Sequence, residues 1–315
     1  MLNTLLKKLI SNNRTYISYS NHTRRGMKNN IYVPHPFTNW SLNPSYKNKL
    51  NTHDHTIEGF RKTSEKSNLI NYNNNKQKKI YCLGGSTTYC TELDSYKDSW
   101  PYKLSCLYKN NNIDVINGGV GGWGTLQSLI RLTCWGPIVK PELTIIYQAK
   151  NDLTFYYNGD ENEDEIYPDY SNIIGHLPNY NKNKIIYRLL NINLSECYGK
   201  SFSPKPQNLS RYNNSSLEGS ITRYLAIADL VSQWNGKVLF IPEIILGSEY
   251  QLYIEKLNSK AISILEKKSN CTIFDIDNFL IKDSNHFMDK MHFTNLGCDV
   301  FSDLLYNFIK KDNLL

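Results

Sequence analysis

Short apolar runs alternate with longer, half-apolar stretches along most of this chain. The runs Ile80–Leu83, Asp114–Asn117, Leu143–Gln148, Lys237–Ile241 and Thr272–Asp275 are brief and rich in branched residues, and predict buried strands. The first stops at two glycines, as a strand entering a tight loop does. Between the runs, apolar residues recur at the spacing of one helix face. They are Leu126, Leu129, Ile130, Thr133 and Cys134; Ile221, Tyr224, Leu225 and Ala228; Tyr250, Tyr253, Ile254, Leu257, Ala261 and Ile264; and Val300, Phe301, Leu304, Leu305 and Phe308. Pro101 suits the first turn of a further helix, with Ser99 as its cap. Strands separated by helices pair in parallel through right-handed crossovers, with helices on both faces. The pattern therefore predicts an α/β fold, a three-layer α/β/α sandwich around a mostly five-stranded parallel sheet.

Two regions break the rhythm. Residues 1–74 lack periodic apolar positions, and Pro34, Pro36 and Pro44 interrupt any long helix there. They are expected to form a largely irregular extension, packed on the main domain through Phe37, Trp40 and Phe60. The polar run Asn71–Lys79 marks its boundary with a domain over 75–315. The second region, 152–215, is long, rich in Tyr and Asn, and holds an acidic run from Asp160 to Glu165. A connection of that length reads as an elaborated insert, and its acidic run lacks the alternating ligands and turn glycine of a calcium loop.

Composition removes several function classes. The net charge of +7 is spread out, with no Arg-rich helix and no recognised module, so no nucleic-acid partner is expected. The seven cysteines are scattered without a C-x-x-C pair, which argues against a disulfide framework or a zinc site. His53-Asp54-His55 lacks a third or fourth ligand, so no metal and no cofactor is expected. No stretch approaches the roughly 18 apolar residues of a membrane span. The start, Met1–Ile10, is interrupted by two lysines and reads as an amphipathic arm, not a secretory leader. A reducing, cytoplasmic setting is the expectation.

Three segments carry the chemistry of acyl transfer. Gly84-Gly85-Ser86-Thr87-Thr88 and Lys150-Asn151-Asp152 each follow a predicted strand, and so share the carboxyl rim of the sheet, where ligands of such folds bind. Asp289-Lys290-Met291-His292 precedes the last helix. Ser86 is the candidate nucleophile, with glycines before it that permit a sharp turn. The offset between Asp289 and His292 brings both side chains to one side, so the carboxylate can orient the ring while its other nitrogen faces Ser86. The rim loop Asn117-Gly118-Gly119-Val120-Gly121-Gly122 can aim backbone N–H groups at an oxyanion, and Asn151 can add a side-chain donor. The Gly-x-Ser-x-Gly elbow is absent because Thr88 stands at its last position.

On these four blocks, in this order, the chain resembles the SGNH hydrolases, also called GDSL esterases and lipases. The resemblance spans about residues 78–310. It implies Ser86 as nucleophile, Asp289 and His292 as the other triad members, and Ser86 N–H, Gly122 N–H and Asn151 as the oxyanion hole. Ala149 stands where the family's third block has glycine, a Cβ that would tilt the loop carrying Asn151. The segments Pro34-His35-Pro36-Phe37, Asn43-Pro44 and Gly59-Phe60-Arg61 are similar to members with an N-terminal extension, often tied to carbohydrate metabolism. Hydrolysis of a small acyl ester, acetyl on a saccharide, is the expected activity. Two alternatives stay open: an O-acyltransferase using the same residues, and a non-catalytic carbohydrate-binding or assembly protein on the same fold. The substrate-binding residues and the oligomeric state are not legible.

Overall fold

A computed structural model describes residues 31–65 apart from 36 and 45, residues 77–153, and residues 214–315 apart from 248 and 249. Residues 1–30, the boundary run up to 76, the acidic run and nearly all of the insert lie outside the described residues.

The central sheet has five parallel strands in the order β4-β3-β5-β6-β7. They are β3 (Lys78–Gly84), β4 (Ile113–Asn117), β5 (Leu143–Tyr147), β6 (Lys237–Ile241) and β7 (Cys271–Ile273), preceded by a hairpin of β1 (Tyr32–His35) and β2 (Asn39–Leu42). Every predicted strand is present. Two end earlier than their apolar pattern suggests: Gln148 leaves β5 to accept a hydrogen bond from Ser128, and Asp275 caps the turn after β7. The hairpin lies in sequence with no strand pattern, since its cross-strand partners include Pro34 and Asn39.

Both sheet faces are buried, and side chains alternate between them as strand geometry requires. In β3, Tyr81 and Leu83 enter one core and Ile80 and Cys82 the other. The first core is closed by α3 (Thr125–Val139), α4 (Asn214–Ser232) and α5 (Gln251–Leu265). The second is closed by α2 (Trp100–Leu107) and α6 (Asn295–Lys311). A single helical turn, α1 (Ser86–Tyr89), follows β3. The fold is a three-layer α/β/α sandwich.

The helix faces hold for α4, α5 and α6, but not for α3. Its buried residues are Thr125, Gln127, Ser128, Arg131, Leu132, Gly136 and Val139, whereas Thr133 and Cys134 are exposed. The inward face is largely polar because it satisfies loop groups. Gln127 accepts from Gly124 N–H, Ser128 donates to Gln148, and Arg131 donates to the Gly59 carbonyl. A count of apolar positions cannot find such a face. Ser99 does occupy the cap position of α2, yet its hydroxyl donates back to the Tyr96 carbonyl at 2.6 Å and caps nothing.

Of the three aromatic residues expected to pack the extension down, Trp40 and Phe60 are buried, but Phe37 is 72% exposed. The six described cysteines are all free thiols, and Cys90 and Cys298 lie with sulfurs 3.9 Å apart. Among the described residues, no helix is long and apolar enough to cross a membrane.

Candidate active site

The site forms where the carboxyl ends of β3, β4, β5 and β6 meet the loop before α6. Ser86 opens α1, directly after β3 and Gly85. Gly85 is required by close approach: a Cβ there would come within 2.4 Å of Asn151 Nδ2. The Asn151 amide therefore lies across the residue before Ser86, and its Nδ2–H donates to the Trp123 carbonyl at 3.0 Å.

Ser86 Oγ stands 2.8 Å from His292 Nε2, and His292 Nδ1 stands 2.7 Å from Asp289 Oδ2. The second carboxylate oxygen, Oδ1, accepts from the backbone N–H groups of Met291 and His292, each at 2.8 Å. One aspartate thus shapes the turn and orients the ring of that turn. Burial works to raise the Asp289 carboxyl, but the His292 ring and these N–H donors outweigh it and hold it below the ordinary carboxylate value. Thr294 caps α6 by accepting from Gly297 N–H at 3.0 Å, which sets where the turn ends.

A second Asp-x-x-His pair, Asp283 and His286, repeats the geometry at 2.6 Å. Its histidine is buried, and its carbonyl lies against Gly297 and accepts Thr294 N–H. The repeat shows that the spacing makes the pair, while burial and the position of Ser86 distinguish one pair from the other.

Gly122 lies in a tight turn closed by Trp123 N–H donating to the Val120 carbonyl at 3.1 Å, and has φ of +80°. That left-handed conformation at the third turn position is the type II geometry that selects glycine. Asn117 is a strut, donating to the Thr88 carbonyl and accepting Gly119 N–H.

The Cβ of Ala149 is accommodated in the first core. The loop it opens is held by a residue that the sequence reading passed over, Glu243, just beyond β6. Glu243 is 5% exposed. Its Oε2 accepts from the N–H groups of Ala149 at 2.7 Å and Lys150 at 2.6 Å, and its Oε1 accepts from the Thr87 hydroxyl at 2.7 Å. One carboxylate joins the loop of Asn151 to the turn of Ser86. Its signal was available: an acidic residue two positions past a predicted strand lies on the ligand rim. Asp152 anchors the same loop to α3, accepting the backbone and side-chain donors of Thr125 at 2.8 Å each. Burial raises the Asp152 carboxyl, opposed by Arg223.

Glu92 Oε1 lies 4.0 Å from His292 Nδ1 and adds negative charge near the ring. Glu92, Asp289 and His292 are also the one group among the described residues with donor atoms close enough to share an ion. Its histidine nitrogen is already bonded to Asp289. His53-Asp54-His55 does not present a ligand face, because Asp54 pairs with Arg61 while His55 bonds Asn43 and Tyr89.

No protein-family model and no curated protein matches the chain. Solved structures do. A GDSL-like lipase from Bacteroides thetaiotaomicron VPI-5482 is 13% identical, over 75% of this chain and 89% of that one, with a TM-score of 0.45. A putative lipolytic protein of the G-D-S-L family from Desulfitobacterium hafniense DCB-2 is also 13% identical, over 73% and 99%, with a TM-score of 0.48. The psychrotrophic esterase EstA from Pseudoalteromonas sp., in a structure inhibited by monoethylphosphonate, is 15% identical over 75% and 98%, with a TM-score of 0.48. At such identities none of these carries an activity over to this chain.

Proposed function

We propose that this chain is a serine ester hydrolase of the SGNH type. The observation that carries the reading is the relay from Ser86 Oγ through His292 to Asp289, at 2.8 and 2.7 Å, built from residues 206 positions apart. An adventitious serine–histidine contact needs no carboxylate behind it, and this one has a carboxylate locked by two further hydrogen bonds. His292 Nε2 takes the Ser86 hydroxyl proton as Oγ attacks the ester carbonyl. The Nδ1–H donates to Asp289, which stabilises the imidazolium. Ser86 N–H at the start of α1, Gly122 N–H and the Asn151 amide are the oxyanion donors. His292 then returns the proton to the departing alcohol, and water clears the acyl-enzyme by the reverse sequence.

The substrate is a small acyl ester, acetyl on a saccharide hydroxyl, a reading that rests on the resemblance of the N-terminal extension. The test is turnover of p-nitrophenyl acetate and longer homologues by the wild type, Ser86→Ala and His292→Ala. Turnover lost in both variants supports the reading, and turnover unchanged in Ser86→Ala overturns it. Product analysis with and without a saccharide acceptor separates hydrolysis from acyl transfer.

A further inference from the structure

Two of the loops that would act on the ester, the Ser86 turn and the Gly122 turn, are held by residues of the 31–65 segment. Trp40, 4% exposed, packs with Leu42, Tyr89, Val120 and Trp123. Its indole N–H donates to the Gly121 carbonyl at 3.0 Å, and Trp123 returns an indole N–H to the Trp40 carbonyl at 3.1 Å. In a planar trans peptide the C=O and N–H point in opposite directions. The bond that draws the Gly121 carbonyl toward Trp40 therefore turns the Gly122 N–H away from it. That peptide is the centre of the type II turn. In a type I turn it is flipped over, and the Gly122 N–H would point the opposite way.

Arg61 serves the nucleophile turn. It is 2% exposed, and its Nε donates to Asp54 Oδ2 at 3.1 Å. Its Nη1 donates to the carbonyls of Tyr89 and Cys90, the latter at 2.6 Å, and its Nη2 to that of Leu93 at 2.9 Å. The carbonyls of Tyr89 and Cys90 close the Ser86 turn and that of Leu93 follows it, and a guanidinium fork reaches all three where an ammonium would not.

We propose that residues 31–65 are a positioning element of the catalytic site. Trp40 holds the Gly121–Gly122 peptide so that its N–H faces the oxyanion, and Arg61 holds the far end of the Ser86 turn. The inference rests on the hydrolase reading above.

The test measures kcat and KM with p-nitrophenyl acetate, labelling rate with a serine-directed phosphonate, and thermal unfolding. The proteins are the wild type, Ser86→Ala, Phe37→Ala, Trp40→Phe and Arg61→Lys. Trp40→Phe keeps an aromatic ring but no donor. A full oxyanion donor is worth ~10²–10³ in rate, so loosening one should lower kcat and labelling together about 10- to 100-fold with KM held within about twofold. Phe37→Ala, in the exposed part of the same segment, should match the wild type. A folded Trp40→Phe with wild-type kcat, or with only KM raised, overturns the proposal. Should Trp40→Phe not fold, Arg61→Lys decides by the same split: lowered kcat with KM held supports it, and wild-type kinetics overturn it. Absent wild-type turnover would instead remove the hydrolase reading.

Discussion

His55 should make the stability of this protein fall in mild acid, and its partners say by how much. Its Nδ1–H donates to the Asn43 carbonyl at 2.7 Å, and its Nε2 accepts from the Tyr89 hydroxyl at 2.8 Å. The Asn43 carbonyl fixes the tautomer of the neutral ring, and burial is what keeps the ring neutral. Burial, aided by the charges of Arg61 and Arg131 and opposed by the Asn43 bond, pushes its pKa from 6.5 down to about 3. Between those values the unfolded chain binds a proton that the folded chain does not. Stability is therefore full above the ordinary imidazole value, falls as the pH drops below it, and flattens only below about 3. Each unit costs about 1.4 kcal/mol, so His55 alone removes about 2 kcal/mol by pH 5. The assay is urea unfolding from pH 4.5 to 8 for the wild type and His55→Gln, whose amide can make both bonds without titrating. His35, also pushed down by burial and by Arg131, titrates alike in both proteins and cancels. The wild type should lose stability more steeply by that amount. Parallel curves would refute the reasoning.

Three further outcomes are expected. Asn151→Ala should lower kcat about 10²–10³-fold, as loss of one oxyanion donor does, with KM little changed. Gly85→Ala should fold with a lowered unfolding midpoint, because its Cβ meets the end of the Asn151 side chain and crowds the Trp123 carbonyl at 3.1 Å, and lose a similar factor in kcat. The double variant should then be no worse than either single one, which steady-state kinetics on the four proteins checks. Glu243→Gln should weaken the three bonds to Thr87, Ala149 and Lys150, because bonds to a charged group are about twice as strong as neutral ones. Calorimetry should show a loss of about 1–3 kcal/mol, and kcat should fall while KM holds.

The chain alone determined the strands, the layers and the residues offered for the relay. Buried parallel strands must be continuous apolar runs, and α4, α5 and α6 each show an apolar stripe, so both are written in residue type and spacing. Asp289 and His292 were legible because three residues of a turn suffice to join them, and Ser86 and Asn151 because both directly follow strands of one sheet. What only the tertiary structure decided are contacts between polar groups distant in sequence, which leave no local pattern. Whether Ser86 meets His292 or His286 depends on how α6 docks. The polar inner face of α3, the carboxylate of Glu243 beneath two loops, and the hold of Trp40 and Arg61 on the site arise the same way. A buried donor or acceptor must find its partner wherever the fold brings one. Periodicity records only which residues avoid water. It does not record which polar groups must meet when water is excluded.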